Sequence, residues 1–383
     1  MKRRTALGAI GAGALAAGAL AVVLPAQSAI DRSPVRLGQS APVSGPLAKI
    51  GLAFRDAARA VFADANAQGG IGGREIELVT LDDEDRPERT AVNVKLLAAE
   101  HRVLGLFGFV GAGAHRAGAR GAAEEGLPYI AAVSGSGELR SGALPGMFNL
   151  RAGHLDEIDY IARHTRQIGI ERVSLVFEYN SQGWELRDAL IATLAAHGSR
   201  VTSISSIDHE GSRYSVPGAV SSVVAGSPQA VVLGADYVAS ARFVRAAREA
   251  GFTGLFYTLS TVGGSALMEQ LGAQAAGLSV TQVVPFPWTA SRPVGRAYQA
   301  FCARHRIEPS FSGMEAYLAA VLLLDGLRRA RELTPARLAE ALEALPPRDF
   351  GGFVAAFYTD ARSRRTPPQV DLTVFSAAGK FIQ

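Results

Sequence analysis

Residues 66–74, Asn66-Ala67-Gln68-Gly69-Gly70-Ile71-Gly72-Gly73-Arg74 (NAQGGIGGR), set four glycines in five positions directly before the strand-like run EIELVTL. Glycines beside a strand can cradle phosphate, or they can simply turn a corner. Their surroundings favour the corner. Asn66 and Gln68 end a helix expected over residues 52–68, in which Phe54, Ala58, Val61 and Phe62 share one face. Gly69 suits the left-handed position that closes such a helix. Gly70 to Gly73 let the chain reverse, and Arg74 opens the next strand.

Outward from this corner, short apolar runs alternate with amphipathic helical stretches. VRLGQSA precedes the helix, and EIELVTL leads to a second helix over residues 87–101. VLGLFGFV, a helix over residues 115–125 and LPYIAAV follow. This order predicts a parallel sheet wrapped by helices on both faces. After the connector FNLRAG the pattern restarts with strands RVSLVFEY, RVTSISSI, AVVLGA and GLFYTLS. The tail adds helices over residues 293–305, 312–332 and 335–344, then GFVAAFY and VDLTVFS. The chain of 383 residues therefore reads as two α/β units of similar size without a long linker.

Composition narrows the function. Apolar residues make up 48% and charged residues 19%, which fits a folded chain. The net charge of +4 is concentrated at the start, in Lys2, Arg3 and Arg4. Removing these three from the 39 basic residues leaves 36 against 35 acidic ones, giving no electrostatic footprint for nucleic acid. MKRR followed by LGAIGAGALAAGALAVVL and PAQSA reads as an export signal over residues 1–28, with Ala26 and Ser28 suited to cleavage before Ala29. A retained anchor is the alternative reading. Arg3-Arg4 also leaves the Sec and twin-arginine routes both open. Cys302 is the single cysteine, so no intrachain disulfide can form, and its helical apolar neighbours mark it as core.

No motif carries a catalytic set. GFVGAGAHRAGARG puts Gly111 and Gly113 between a strand and a helix, but Gly118 falls five residues after Gly113, so the dinucleotide fingerprint is weak. What remains is a helix N-terminus able to receive an anion. The histidines match no zinc-motif spacing, and VSGSGE around Ser134 and Ser136 fails the G-x-S-x-G frame. Asp82-Asp83-Glu84-Asp85 and Asp208-His209-Glu210 read as solvated polar loops, with Pro87 in the first turn of the helix after the first.

LGQSAPVSGPLAKIG, NAQGGIGGREIELVTLDDEDRPERTAVN, GLPYIAAVSGSGELR, FNLRAGHLDEIDYIARH and MEAYLAAVLLLDGLRRA, in this order, resemble the branched-chain amino-acid type of ABC-transporter substrate-binding protein. The resemblance to these type I periplasmic binding proteins runs through essentially the whole chain after the export segment. It implies an α/β fold of two Rossmann-like lobes with parallel-rich sheets, joined by three hinge crossovers. Residues 34–152 plus 284–366 would form the N-terminal lobe, and residues 153–283 plus 367–383 the C-terminal lobe. It further implies a periplasmic monomer that binds a small carboxylate between the lobes and hands it to a permease. No cofactor, metal, nucleic acid or stable membrane insertion is expected, and no enzymatic activity. A sensor of the same fold and an exported α/β hydrolase are the alternatives.

By position, the resemblance assigns ligand carboxylate contacts to Ala112 and Gly113 and to Ser134, Gly135 and Ser136. Tyr179, Gln182, Asp236 and Tyr237 would close over the ligand from the other lobe, with Tyr237 equally readable as core. His115 and Arg116 either add positive potential or are solvated, and Ile50 offers an apolar wall. One departure matters. In amino-acid-binding members an acidic residue often holds the α-ammonium from the loop occupied here by TLSTVGG, where this chain has Ser260. Either Asp236 substitutes for it, or the ligand lacks an ammonium.

Overall fold

The glycine corner closes as a Schellman motif in the computed structural model, which describes residues 32–111, 113–208 and 215–383. Gly70 N–H donates to Ala65 O and Gly69 N–H to Asn66 O, both at 2.9 Å, ending helix α1 (Ala48–Ala67). Gly69, Gly70, Gly72 and Gly73 all take positive φ, and a Cβ on Gly70 would lie 2.0 Å from Arg74 O. Asn66 then clamps the incoming strand: its Nδ2 donates to Ile76 O, and its Oδ1 accepts from Ile76 N–H. The Gly69, Gly70, Ile71 and Arg74 amides are used in turning the chain, and the stretch is a corner. The export segment of residues 1–28, Ala112, His209 and Glu210 lie outside the described residues.

The first sheet is built from β1 (Val35–Ala41), β2 (Ile76–Asp82), β3 (Leu106–Phe107), β4 (Tyr129–Ile130) and β5 (Met147–Phe148) in the order β2-β1-β3-β4-β5. All its pairings are parallel, with Val35 beside Ile76 and Ala41 beside Asp82. Helices α2 (Pro87–Ala99) and α3 (Ala114–Glu124) connect these strands. β3 and β4 are much shorter than their apolar runs predict. Gly108 at φ 66° and Ala131 at φ 52° break them, and a Cβ on Gly108 would strike the Phe54 ring at 2.0 Å. The strand bends to seat Phe54, whose ring tilts against Phe107 at 5.6 Å.

The chain then passes to a second sheet through α4 (His154–Gln167). Strand β6 (Arg172–Glu178), helix α5 (Ser181–Ala196), strand β7 (Arg200–Ile207) and helix α6 (Ser215–Gly226) come first. Strand β8 (Ala230–Gly234), helix α7 (Tyr237–Glu249), strand β9 (Leu255–Thr258), helix α8 (Gly264–Leu271) and strand β10 (Leu278–Gln282) follow. It returns to the first lobe as α9 (Pro293–His305), α10 (Phe311–Arg329), α11 (Pro335–Glu343) and a small ladder of β11 (Arg348–Asp349) with β12 (Val354–Ala355). A third crossing delivers β13 (Asp371–Phe375) and β14 (Phe381–Ile382) to the second sheet, antiparallel, giving the order β14-β13-β10-β9-β8-β6-β7. The architecture is two parallel-rich α/β lobes joined by three crossovers.

Each lobe has its own apolar core. Phe54, Phe62, Phe107, Tyr298 and Leu323 belong to the first, with Cys302 buried among them. Val231, Phe243, Phe256 and Val280 belong to the second. Ile50 and Phe311 pack against both cores, so apolar side chains of the first lobe reach into the second. Among the described residues no helix is long and apolar enough to cross a membrane.

Candidate functional site

Parallel strands present their C-terminal ends on one side of a sheet, and here the two sheets present those ends to each other. Between them lies a cavity. Pro42 after β1, Val110 and Gly111 after β3, and Val133 after β4 line it from the first lobe, with His115 from α3 behind them. The second lobe contributes Glu178 at the end of β6, then Asn180 and Gln182 entering α5. Leu233 to Asp236 close β8, Thr258 ends β9, and Leu259 and Thr261 follow it, with Ser260 outside the wall. Ile50 supplies an apolar wall.

The lobes meet around this cavity through specific contacts. The Tyr237 hydroxyl donates to Pro46 O, and Lys49 pairs with Glu269. Glu185 on α5 reaches the opposite lobe, where its carboxylate accepts from the Ser136 hydroxyl at 2.9 Å and from Gly137 N–H at 2.6 Å.

Residues 34–376 match the family described as periplasmic binding protein. The chain belongs to this family. The structure is similar to that of a substrate-binding periplasmic protein from Ralstonia solanacearum, with a TM-score of 0.82 and 30% identity over 91% of this chain and 99% of that one. It is also similar to a possible leucine/isoleucine/valine-binding protein from Rhodopirellula baltica, with a TM-score of 0.84 and 25% identity over 93% and 98% of the two chains. An amino acid binding protein of Pseudomonas aeruginosa is 23% identical over 82% of this chain and 83% of its own length. The relatives are thus named as binding proteins.

This periplasmic binding protein brings only some of the residues expected from sequence to the cavity. Gln182 and Asp236 line the cavity, and Asp236 Oδ1 also accepts from Val238 and Ala239 N–H at the start of α7. Ala112 lies outside the described residues, while Gly113 precedes α3 with a hypothetical Cβ 2.4 Å from Pro87. Ser134 is fully buried and its hydroxyl accepts from Ser136 N–H, whereas Gly135 N–H donates to His154 Nε2. Ser136 faces Glu185. Tyr179 is 66% exposed and packs edge-on against Trp184 at 5.5 Å, outside the cavity. Tyr237 is buried and serves the interlobe contact. Ser260 borders a neighbouring polar cavity, its hydroxyl bonded to Arg151 and its N–H donated to Glu157 at 2.8 Å.

Two acidic lining groups, Glu178 and Asp85, were not expected at the site from sequence. Glu178 ends β6 and accepts from Asn180 Nδ2, and a polar residue ending a parallel strand was the available signal. Asp85 lines the cavity from the acidic loop read as solvated. That reading needs correction for Asp83 as well, which is fully buried and accepts from Ser40, Thr90 and Asp85 N–H, tying β1 to α2. Burial pushes its carboxyl up, against these hydrogen bonds. His115, left open between solvent and site, is buried at the cleft floor.

Behind that floor runs a buried charged network. Arg151 stands where the chain first crosses between lobes, bonded to Ser260 and 3.6 Å from the Glu315 carboxylate of α10. Arg140 donates to Tyr358 Oη, Ser136 O and Arg151 O. Burial, helped by the nearby Arg151 and Arg140 guanidiniums, pushes His115 down to about 3 and holds His154 well below its ordinary value. In the unfolded chain these rings titrate near 6.5, so below that pH the unfolded state binds more protons. Stability is therefore full above pH 6.5 and falls as the pH drops from 6.5 toward 3. The limiting slope is about 1.4 kcal/mol per pH unit for each ring. Urea midpoints should decline steadily from pH 7 to pH 4.5, and less steeply in His115→Gln. A midpoint constant over this range would contradict the assignment of neutral buried rings.

Proposed function

We propose that this chain is an exported substrate-binding component of an ABC importer. It captures one small amino-acid-like molecule between its lobes and delivers it to a membrane permease. It performs no chemistry on that molecule. The observation that carries the reading is the cavity itself: strand ends from both lobes converge on it, those of the second lobe carrying polar side chains, and cross-lobe contacts surround it. The names of the similar proteins from P. aeruginosa and R. baltica support an amino-acid ligand. Family membership supports a periplasmic location.

Gln182 and Asp236 are the direct contacts we propose from the second lobe, with Gly111 opposite. With serine at position 260, Asp236, which lines the cavity, is the group we propose for a ligand's amine. The hydrolase alternative loses support, since the Ser136 hydroxyl is engaged by Glu185 and that of Ser134 accepts from a backbone amide. A ligand bound only by the folded state raises the melting temperature with concentration. Thermal shift across aliphatic amino acids, basic amino acids, hydroxy acids and aromatic acids should therefore give a saturable rise for one class. A melting temperature indifferent to all of them would sink the reading.

A further inference from the structure

We infer that Glu185, a residue outside the cavity, is the clasp that holds α5 over the bound molecule and sets how long it stays. The inference rests on the cavity being the ligand site and adds the side chain that governs departure from it. Gln182, Gly183 and Leu186 line the cavity from the first turns of α5, whereas Glu185 does not. Three residues on from Gln182, it stands beside it on the helix surface and reaches the opposite lobe. There its two carboxylate oxygens take different donors, the Ser136 hydroxyl at 2.9 Å and Gly137 N–H at 2.6 Å. Gly137 permits this approach, because a Cβ on it would lie 2.9 Å from the Glu185 carboxylate. The receiving end is itself braced, with Arg140 donating to Ser136 O and Glu138 N–H to the Ser136 hydroxyl.

A molecule enclosed by walls from both lobes enters or leaves only when the lobes part, and parting breaks the contacts between them. Three polar contacts across the cleft differ in strength. Lys49 and Glu269 are each more than half exposed, so their pairing contributes little. The bond from the Tyr237 hydroxyl to Pro46 O is a single neutral one. The Glu185 contact is two-pronged and carries a charge on one side, which makes it stronger than either. It favours the closed arrangement whatever molecule lies inside. Weakening it therefore lowers apparent affinity by the closed fraction lost, equally for every ligand, and the loss appears in the dissociation rate.

Glu185→Gln keeps the length of the side chain but replaces one acceptor oxygen by an amide nitrogen, and Gly137→Ala pushes the carboxylate away from the opposite lobe. Gly137 has φ −65°, which alanine adopts freely, so the backbone is undisturbed. Neither residue lines the cavity. Isothermal titration and stopped-flow release of leucine and valine from the full chain test the clasp. Each variant should bind both amino acids about tenfold more weakly, through faster release and with their affinity ratio unchanged. The double variant should be no weaker than the weaker single one, as for two ends of one contact. An unchanged release rate in Glu185→Gln, or a shifted leucine-to-valine ratio, would overturn the inference while leaving the ligand site standing. Small-angle scattering reads the clasp without a ligand: both variants should have a larger radius of gyration than the unaltered chain. Equal radii would overturn the clasp even where neither amino acid binds, a failure that by itself counts against the ligand reading alone.

Discussion

Arg151→Ala is expected to cost the fold about 3–5 kcal/mol, the loss typical of breaking one side of a buried ion pair. The Arg151 side chain is 1% exposed and that of Glu315 6% exposed, so water cannot replace the missing partner. Burial already pushes the Glu315 carboxyl up, with Arg151 opposing and Glu157 adding to the shift. Without the guanidinium, Glu315 and the fully buried Glu157 would face each other in a low-dielectric interior. Arg151 also holds Ser260 of the second lobe while its own carbonyl receives Arg140 and Tyr358, so the first crossover would lose its anchor. Urea denaturation measures this directly, and Arg151→Met with Glu315→Leu should recover much of the loss. A single-variant loss below about 1 kcal/mol would mean the pair behaves like an exposed one.

Gly183→Ala carries the second large effect. Gly183 occupies the first turn of α5, where a Cβ would sit 1.8 Å from Glu178 O and 3.0 Å from the Phe177 ring. Backbone cannot yield as a side-chain tip does, so α5 must move off β6, at a cost of roughly 1–3 kcal/mol. Glu178, Asn180 and Gln182 all line the cavity from this short piece of chain, so ligand affinity should fall by about tenfold or more as a polar contact is lost. Gly218→Ala in α6 is the contrast. That glycine is exposed with nothing within 4 Å of a new Cβ, and alanine there should stabilise by about 0.5–1 kcal/mol. Equal effects at the two positions would contradict the packing described for α5.

What could be read from the residues alone was mostly local. The corner at Gly69–Gly73 follows from helix-end chemistry within nine residues, and the alternation of strands and helices follows from hydrophobic period. The shortening of β3 was not readable, because Gly108 bends the strand for a phenylalanine that is distant in sequence. The cavity was partly readable. Asp236 and Gln182 stand just beyond strands, where open α/β sheets place their ligand contacts. Ser134 and Gly135 look equally suitable in sequence, yet the three-dimensional path turns one inward and packs the other on His154. Tyr237 satisfies both an aromatic-core and a ligand reading in sequence, and only the position of Pro46 in the other lobe shows where its hydroxyl goes.

Glu185 illustrates the same limit from the other side. It lies in a helix whose apolar pattern says nothing of the opposite lobe, and its bonds to Ser136 and Gly137 exist only because the lobes approach. The pairing places a carboxylate of the chain itself on Ser136 and Gly137.

One small molecule is expected to sit between the lobes and to leave unchanged. Equilibrium dialysis with a ligand found by thermal shift, followed by mass spectrometry of what the denatured protein releases, tests it most directly. The expected result is one molecule per chain, recovered chemically intact, with occupancy sharply reduced in Asp236→Asn. A released product, or full occupancy retained in both Asp236→Asn and Gly183→Ala, would contradict it.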